Sequence, residues 1–157
     1  MAGEIGLVLQ NVVTRIDSIT CDTVYDGTTG FRRMPHVYVP EDLIDAPTRG
    51  YALLYDAELE EGTTQGQATT WVNVGSTCTL FFAYGQSGDA LGLQKVLAED
   101  IDRVRYELNR INSDAYEQST TSMYERDVTE VQIDSQPGVG GTTLITVEVA
   151  FRYRPSF

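Results

Sequence analysis

From Gly88 to Ile111 the apolar residues Leu93, Leu97, Ile101, Val104, Leu108 and Ile111 recur at steps of three and four. That spacing falls on one stripe of an α-helix and on no single face of a strand. Lys95, Glu99, Asp102, Arg103, Glu107 and Arg110 fill the other faces and are expected in solvent. Glu99 and Arg103 make an i,i+4 pair in the favourable order, worth about 0.2–0.5 kcal/mol. Asp89 is placed to cap the start, and Asn112-Ser113-Asp114 to mark the stop. A helix with one apolar side needs something to cover that side, and the strand-like runs before and after it are the candidates.

A second amphipathic helix is predicted over Glu4–Ile19, with Ile5, Val8, Leu9, Val12, Val13, Ile16 and Ile19 at helical spacing. Its β-branched residues lower its propensity, so its stability must come from packing. In Cys21–Ala46 the sequence predicts a turn at Asp26-Gly27, a short extended segment Met34–Pro40 bounded by prolines, and a loop or single helical turn from Glu41. Tyr51–Glu60 alternates as a strand, with Tyr51, Leu53, Tyr55, Ala57 and Leu59 on one side. After the Gly/Thr/Gln loop Glu61–Thr70, extended chain resumes at Trp71–Val74, and Gly75-Ser76 reads as a bulge or bend. Thr77–Tyr84 is apolar on both sides and belongs at the centre of a sheet, paired with Tyr51–Glu60 as a long hairpin. Residues 113–126 read equally as loop, short helix or exposed strand. Asp127–Asp134, with Thr129, Val131 and Ile133 on one side, pairs with Thr143–Arg154 through the turn Ser135–Thr142. In Thr143–Arg154, Ile145, Val147, Val149, Phe151 and Tyr153 line one face. The predicted fold is α+β: a single antiparallel β-sheet with long hairpins packed against two α-helices, one domain over residues 1–157.

The formal net charge is −12, from 11 Lys and Arg against 23 Asp and Glu. Such a chain is a poor candidate for gripping nucleic acid by phosphate neutralisation, yet its repulsion suits a path through which DNA slides. Cys21 and Cys78 are far apart, make no CxxC, and are read as buried free thiols. No secretory signal and no membrane-length apolar run is evident, so a soluble protein made in a reducing cytoplasm is expected.

No chemistry-bearing motif is complete. Gly85-Gln86-Ser87-Gly88-Asp89 follows a strand and precedes a helix, as a nucleophile elbow does. It lacks the final glycine, and the lone histidine, His36, lies upstream where hydrolases place theirs downstream. Gly138-Val139-Gly140-Gly141 sits between strands, without the lysine or helix of a phosphate loop. The acid sets Glu58/Glu60/Glu61 and Glu99/Asp100/Asp102 fit no calcium loop and are read as solvated faces. No catalytic residue, cofactor or metal is expected. Of the nine tyrosines, Tyr51, Tyr55 and Tyr84 are assigned to the core or its rim, and Tyr116, Tyr124 and Tyr153 to exposed surface.

In order and character the chain resembles the tail terminator (tail completion) proteins of long-tailed bacteriophages. The resemblance rests on the N-terminal helix EIGLVLQNVVTRIDSI, the strand YALLYDAELEE, the strand TLFFAYG leading into a long helix, and a glycine-rich turn before the terminal strand TTLITVEVAFRYRP. It implies a structural virion protein without enzymatic activity. Its copies would form a ring, commonly a hexamer, that caps the tail tube protein, stops its polymerisation and offers a surface to the head–tail connector or neck protein. DNA would pass through the lumen without specific binding. Heterologous, head-to-tail contacts would close such a ring. The expected contact residues are the loop Glu61–Thr70, including Glu61 and Gln65, and the outward-alternating Glu58, Glu60, Arg152 and Arg154. Other expectations compatible with the same residues are a different neck, head–tail adaptor or baseplate component, a small hydrolase using the Ser87 turn, and a monomeric binding domain.

Overall fold

The structure is a computed structural model describing residues 4–37, 39–43, 46–61, 73–85, 89–109, 123–136 and 142–153. Helix α1 spans Glu4–Asp17 and α2 spans Ala90–Leu108. Five strands, β1 Arg32–Arg33, β2 Gly50–Glu61, β3 Asn73–Gly85, β4 Met123–Gln136 and β5 Thr142–Tyr153, form one sheet in the order β1-β2-β3-β5-β4. The fold is α+β, as the hydrophobic periodicities require. Both hairpins form, β2 with β3 and β4 with β5, and β3 lies at the centre of the sheet.

The sheet is mixed rather than purely antiparallel, because β1 pairs parallel to β2 with Arg32 beside Gly50. The extended segment expected at Met34–Pro40 is displaced to these two arginines. Residues 35 and 36 instead form a turn, and Pro40–Leu43 a 3-10 turn. The Asp-Gly turn is as expected: Asp26 and Gly27 both have positive φ (51° and 73°). Tyr25 and Thr28 close it with two backbone hydrogen bonds, the geometry of a tight hairpin.

One face of the sheet carries the main core. Val8, Val12, Ile16 and Ile19 from the α1 region meet Val96, Leu97, Val104 and Leu108 of α2 above Cys78, Leu80, Phe82, Ile145, Val147, Val149 and Phe151. Phe31 packs edge-on against Phe82, with Tyr51 stacked on the same ring at 5.5 Å. The opposite face holds a smaller cluster, Leu43, Ala52, Ala83 and Leu144, where the 3-10 turn covers the strands. Hence Ala52 is as buried as Tyr51, although the alternation assigned them to opposite sides.

Helix α2 begins where Asp89 accepts a hydrogen bond from the Gly92 amide at 3.0 Å. Its described end is Leu108, capped by Asn109; the predicted stop at Asn112–Asp114 lies outside the described residues. Two of its acids depart from the expected solvated faces. Asp100 is 2% exposed and Glu107 7% exposed, because each meets a buried or half-buried arginine. Glu99 accepts from the Thr23 hydroxyl at 2.6 Å, and among the described contacts it makes no ion pair with Arg103. The Arg103 guanidinium lies instead over the Tyr106 ring, 5.9 Å from its centroid.

The irregularities also move. Opposite Gly75-Ser76 it is β2 that slips register, between Tyr55 and Glu58, whereas β3 keeps unbroken register with β5. β4 slips twice against β5, between Met123 and Glu125 and between Val128 and Glu130, and the latter bulge reverses its alternation. Val128 and Val131 therefore face the core, and Thr129 is exposed, against the expected grouping of Thr129 with Val131. Two substitutions read this bulge directly. Val131→Asp is expected to cost about 2 kcal/mol and Thr129→Asp within about 0.5 kcal/mol in urea unfolding. Equal costs would mean an unbroken alternation.

Candidate interaction surface

The segment 21–50 carries no strong periodicity, and polar contacts hold it down. At their centre is Arg49, fully buried and at positive φ (64°), a conformation that side-chain-bearing residues rarely adopt. Its amide donates to the Ala83 carbonyl, and its carbonyl accepts from Arg32, so both main-chain groups are committed to neighbouring strands. Its guanidinium donates to both Asp100 oxygens, at 2.9 and 3.1 Å, and to the carbonyls of Thr23 and Thr28. Tyr84 completes the Asp100 carboxylate with a 2.6 Å hydrogen bond. Around this centre, Tyr25 donates to the Gly85 carbonyl, and Thr48 bridges Asp26 and the Gly85 amide.

This arrangement resembles a reactive cluster in composition but not in access. Arg49, Asp100, Tyr84 and Thr48 are all buried and partnered. Burial would by itself lower the proton affinity of Arg49, but the hydrogen bonds and charge of Asp100 outweigh it and the guanidinium is held more firmly. Burial, then Asp100, pushes the Tyr84 hydroxyl well above its ordinary range. Burial pushes the thiols of Cys21 and Cys78 up to about 12, with Asp100 adding to the first and Asp56 to the second. Both cysteines are free and buried, so neither is a nucleophile at neutral pH.

A second polar contact ties α2 to β4. Arg126, 3% exposed, donates through Nε to the Leu108 carbonyl at 2.6 Å, and Asn109 accepts from the Val128 amide. The first satisfies a carbonyl that a helix C-terminus leaves open, and the second satisfies an amide of β4. Glu107 pairs with Arg15 across the two helices at 3.8 Å.

The expected contact residues fall at one end of the sheet. Glu58, Glu60 and Glu61 lie in β2, and Arg152 lies exposed in β5. Glu58 opposes Ser76, which in turn opposes Phe151, so β3 separates the acids from Arg152 by two strand spacings, about 9.6 Å. The residue directly opposite Arg152 on β4 is Glu125 of the same chain. Gln65, Arg154, the loop 62–70, Ser87, the glycine turn and Tyr116 lie outside the described residues. Of the tyrosines, Tyr51 and Tyr84 are fully buried, and Tyr55 is 42% exposed.

What remains open is surface. Between α2 and the β4 side of the sheet runs a groove of about 900 Å³, lined by Leu93, Leu97, Ile101, Val131 and Ile133 with Asp102 and Arg105. On the far side, α1 and residues 33–37 frame a cleft of about 240 Å³. The uncovered sheet face is acidic and threonine-rich, with Glu130 directly opposite Glu148. Among the described residues no group of three His, Cys, Asp or Glu is placed to share a metal ion, and no helix is long and apolar enough to cross a membrane. Neither Arg49 nor Arg126 was singled out by the sequence reading, since no motif surrounds either. In comparisons with known proteins, the chain matches no family by its sequence model and no curated protein sequence.

Asp100→Ala leaves the Arg49 charge buried without its carboxylate, and urea unfolding is expected to register a loss of about 3–5 kcal/mol. The pair replacement Arg49→Met with Asp100→Leu should cost much less than the sum of the single changes. Alkali supplies a second test. The folded state keeps the cysteine protons up to about 12, whereas the unfolded chain releases them from about 9.0. Stability is therefore complete below pH 9.0 and falls as pH rises toward 12. The raised Tyr51 and Tyr84 hydroxyls add to the same fall above their ordinary value of 10.0. The urea midpoint should follow that course, and Cys78→Ala should flatten it.

Proposed function

We propose that this chain is a structural virion protein, a tail terminator whose copies form a ring that caps the tail tube and receives the head-side neck. The supporting observation is a buried polar cluster together with two edge strands, β1 and β4, that among the described residues each pair on one side only. The polar cluster with the composition of an active site is buried and saturated with partners. Open β edges attract further chains unless something manages them, and a sheet with one unmatched edge on each side is suited to repeating contacts. The layout also keeps the features that carry the family resemblance: the amphipathic N-terminal helix, the hairpin before the long helix, and the hairpin ending in the terminal strand. The net charge of −12 suits a lumen that DNA traverses without adhering.

The reading has a direct test. Purified protein added to polymerising tail tube protein should arrest growth, leaving short tubes with added density at one end in electron micrographs. Tubes of unchanged length and undecorated ends would remove the terminator reading. Sedimentation of the protein with heads rather than tubes would favour a head-side adaptor instead.

A further inference from the structure

The two edges of the sheet differ in charge. At one end of the strand order, β4 presents Asp127, Glu130 and Asp134, all exposed, while its arginine, Arg126, is turned into the core. At the other end, β1 consists of Arg32 and Arg33, both exposed, with the exposed His36 three residues on. Glu41 and Asp42 belong to the 3-10 turn that covers the opposite face of the sheet. In a chain of net charge −12, two adjacent exposed arginines on one edge are a local reversal of sign.

The edges also differ in shape. On the helix side of β4, Ile133 stands 54% exposed at the margin of the long groove. On the helix side of the β1 edge lies the cleft of about 240 Å³, lined by Leu9, Val13, Met34, Val37 and Leu53 with Arg33 at its rim. An apolar knob among acids on one edge thus faces the same way as an apolar hole beside arginines on the other. A knob and a hole on different parts of one molecule make a heterologous contact, which repeats from copy to copy. Among the described residues no strand pairs with the outer side of β4, and β1 covers β2 only at Gly50 and Tyr51.

We propose that the acidic β4 edge of one copy receives the basic β1 edge of a second copy. Ile133 enters the α1–β1 cleft, and Asp134 beside it meets the arginine pair Arg32 and Arg33. The next copy's α1 then closes the open side of the groove beside α2. The contact is head to tail, and it deepens the ring reading above, on which it rests for the setting in which copies meet.

The test is a charge exchange followed by sedimentation velocity over a range of concentration. Wild type should self-associate, more weakly as salt rises. Arg32→Glu with Arg33→Glu should weaken association about tenfold or more, and so should Asp134→Lys. An equimolar mixture of the two variants should associate again, because each then offers the edge the other lacks. Ile133→Asp should also weaken association while leaving the thermal melt unchanged, since the side chain is already half in solvent. A wild type that is monomeric throughout, variants that associate like wild type, or a mixture that stays dissociated would each overturn the contact. No tube protein is present in this assay. Loss of the edge contact with tube arrest intact therefore counts against the contact alone, and the converse counts against the terminator reading alone.

Discussion

The Arg49–Asp100 ion pair is the constraint on which the rest of the structure depends. It joins the start of β2 to the middle of α2, and through the Thr23 and Thr28 carbonyls it holds the segment that crosses between them. A charge pair so deeply buried is costly to desolvate, and its attraction offsets that cost only when the remaining donors and acceptors are filled. Here they are filled: the guanidinium meets four oxygens, and the carboxylate also takes the Tyr84 hydroxyl. The positive φ of Arg49 is a strain that such over-determined surroundings can hold. The pair gives α2 one register over the sheet, a specificity that its apolar stripe alone would not supply.

The elements that were legible in the sequence are those whose signals are local. The stripe of α2, the Asp89 cap, the Asp-Gly turn and the inward face of β5 all depend on neighbours within a few residues. What escaped depends on distant partners. Asp100 looks like one acid among several on a helix, and only Arg49, 51 positions away, makes it a core residue. Glu107 is buried for the same kind of reason, by Arg15 on the other helix. The two-residue β1 is too short to carry a period, and its parallel pairing requires β2 already in place. The bulge in β4 inserts one residue without any glycine or proline to announce it. Alternation therefore assigned Thr129 to the wrong face. For the candidate surface, the acids of β2 and the arginine of β5 were read from outward alternation alone. That pattern gives a side of the sheet but not which chain supplies the partner, and Glu125 lies opposite Arg152 within this one.

These features combine into a molecule whose interior and exterior have separate tasks. Inside, apolar packing surrounds Arg49 and Arg126, whose polar contacts are filled by neighbouring oxygens. Outside, the charge is unevenly distributed: the described acids of β4 lie at one edge of the sheet and Arg32 and Arg33 at the other. Among the described residues, the groove beside α2 borders β4, the strand that carries Asp127, Glu130 and Asp134.

The central claim is that copies of this chain meet through opposite sheet edges. Amide hydrogen exchange, compared between dilute and concentrated protein, tests it most directly. The account predicts added protection at residues 127–134 and 32–37, with no change over the outward face formed by Thr79, Thr146 and Glu148. Protection that appears on that outward face while both edges exchange as in the dilute protein would contradict it.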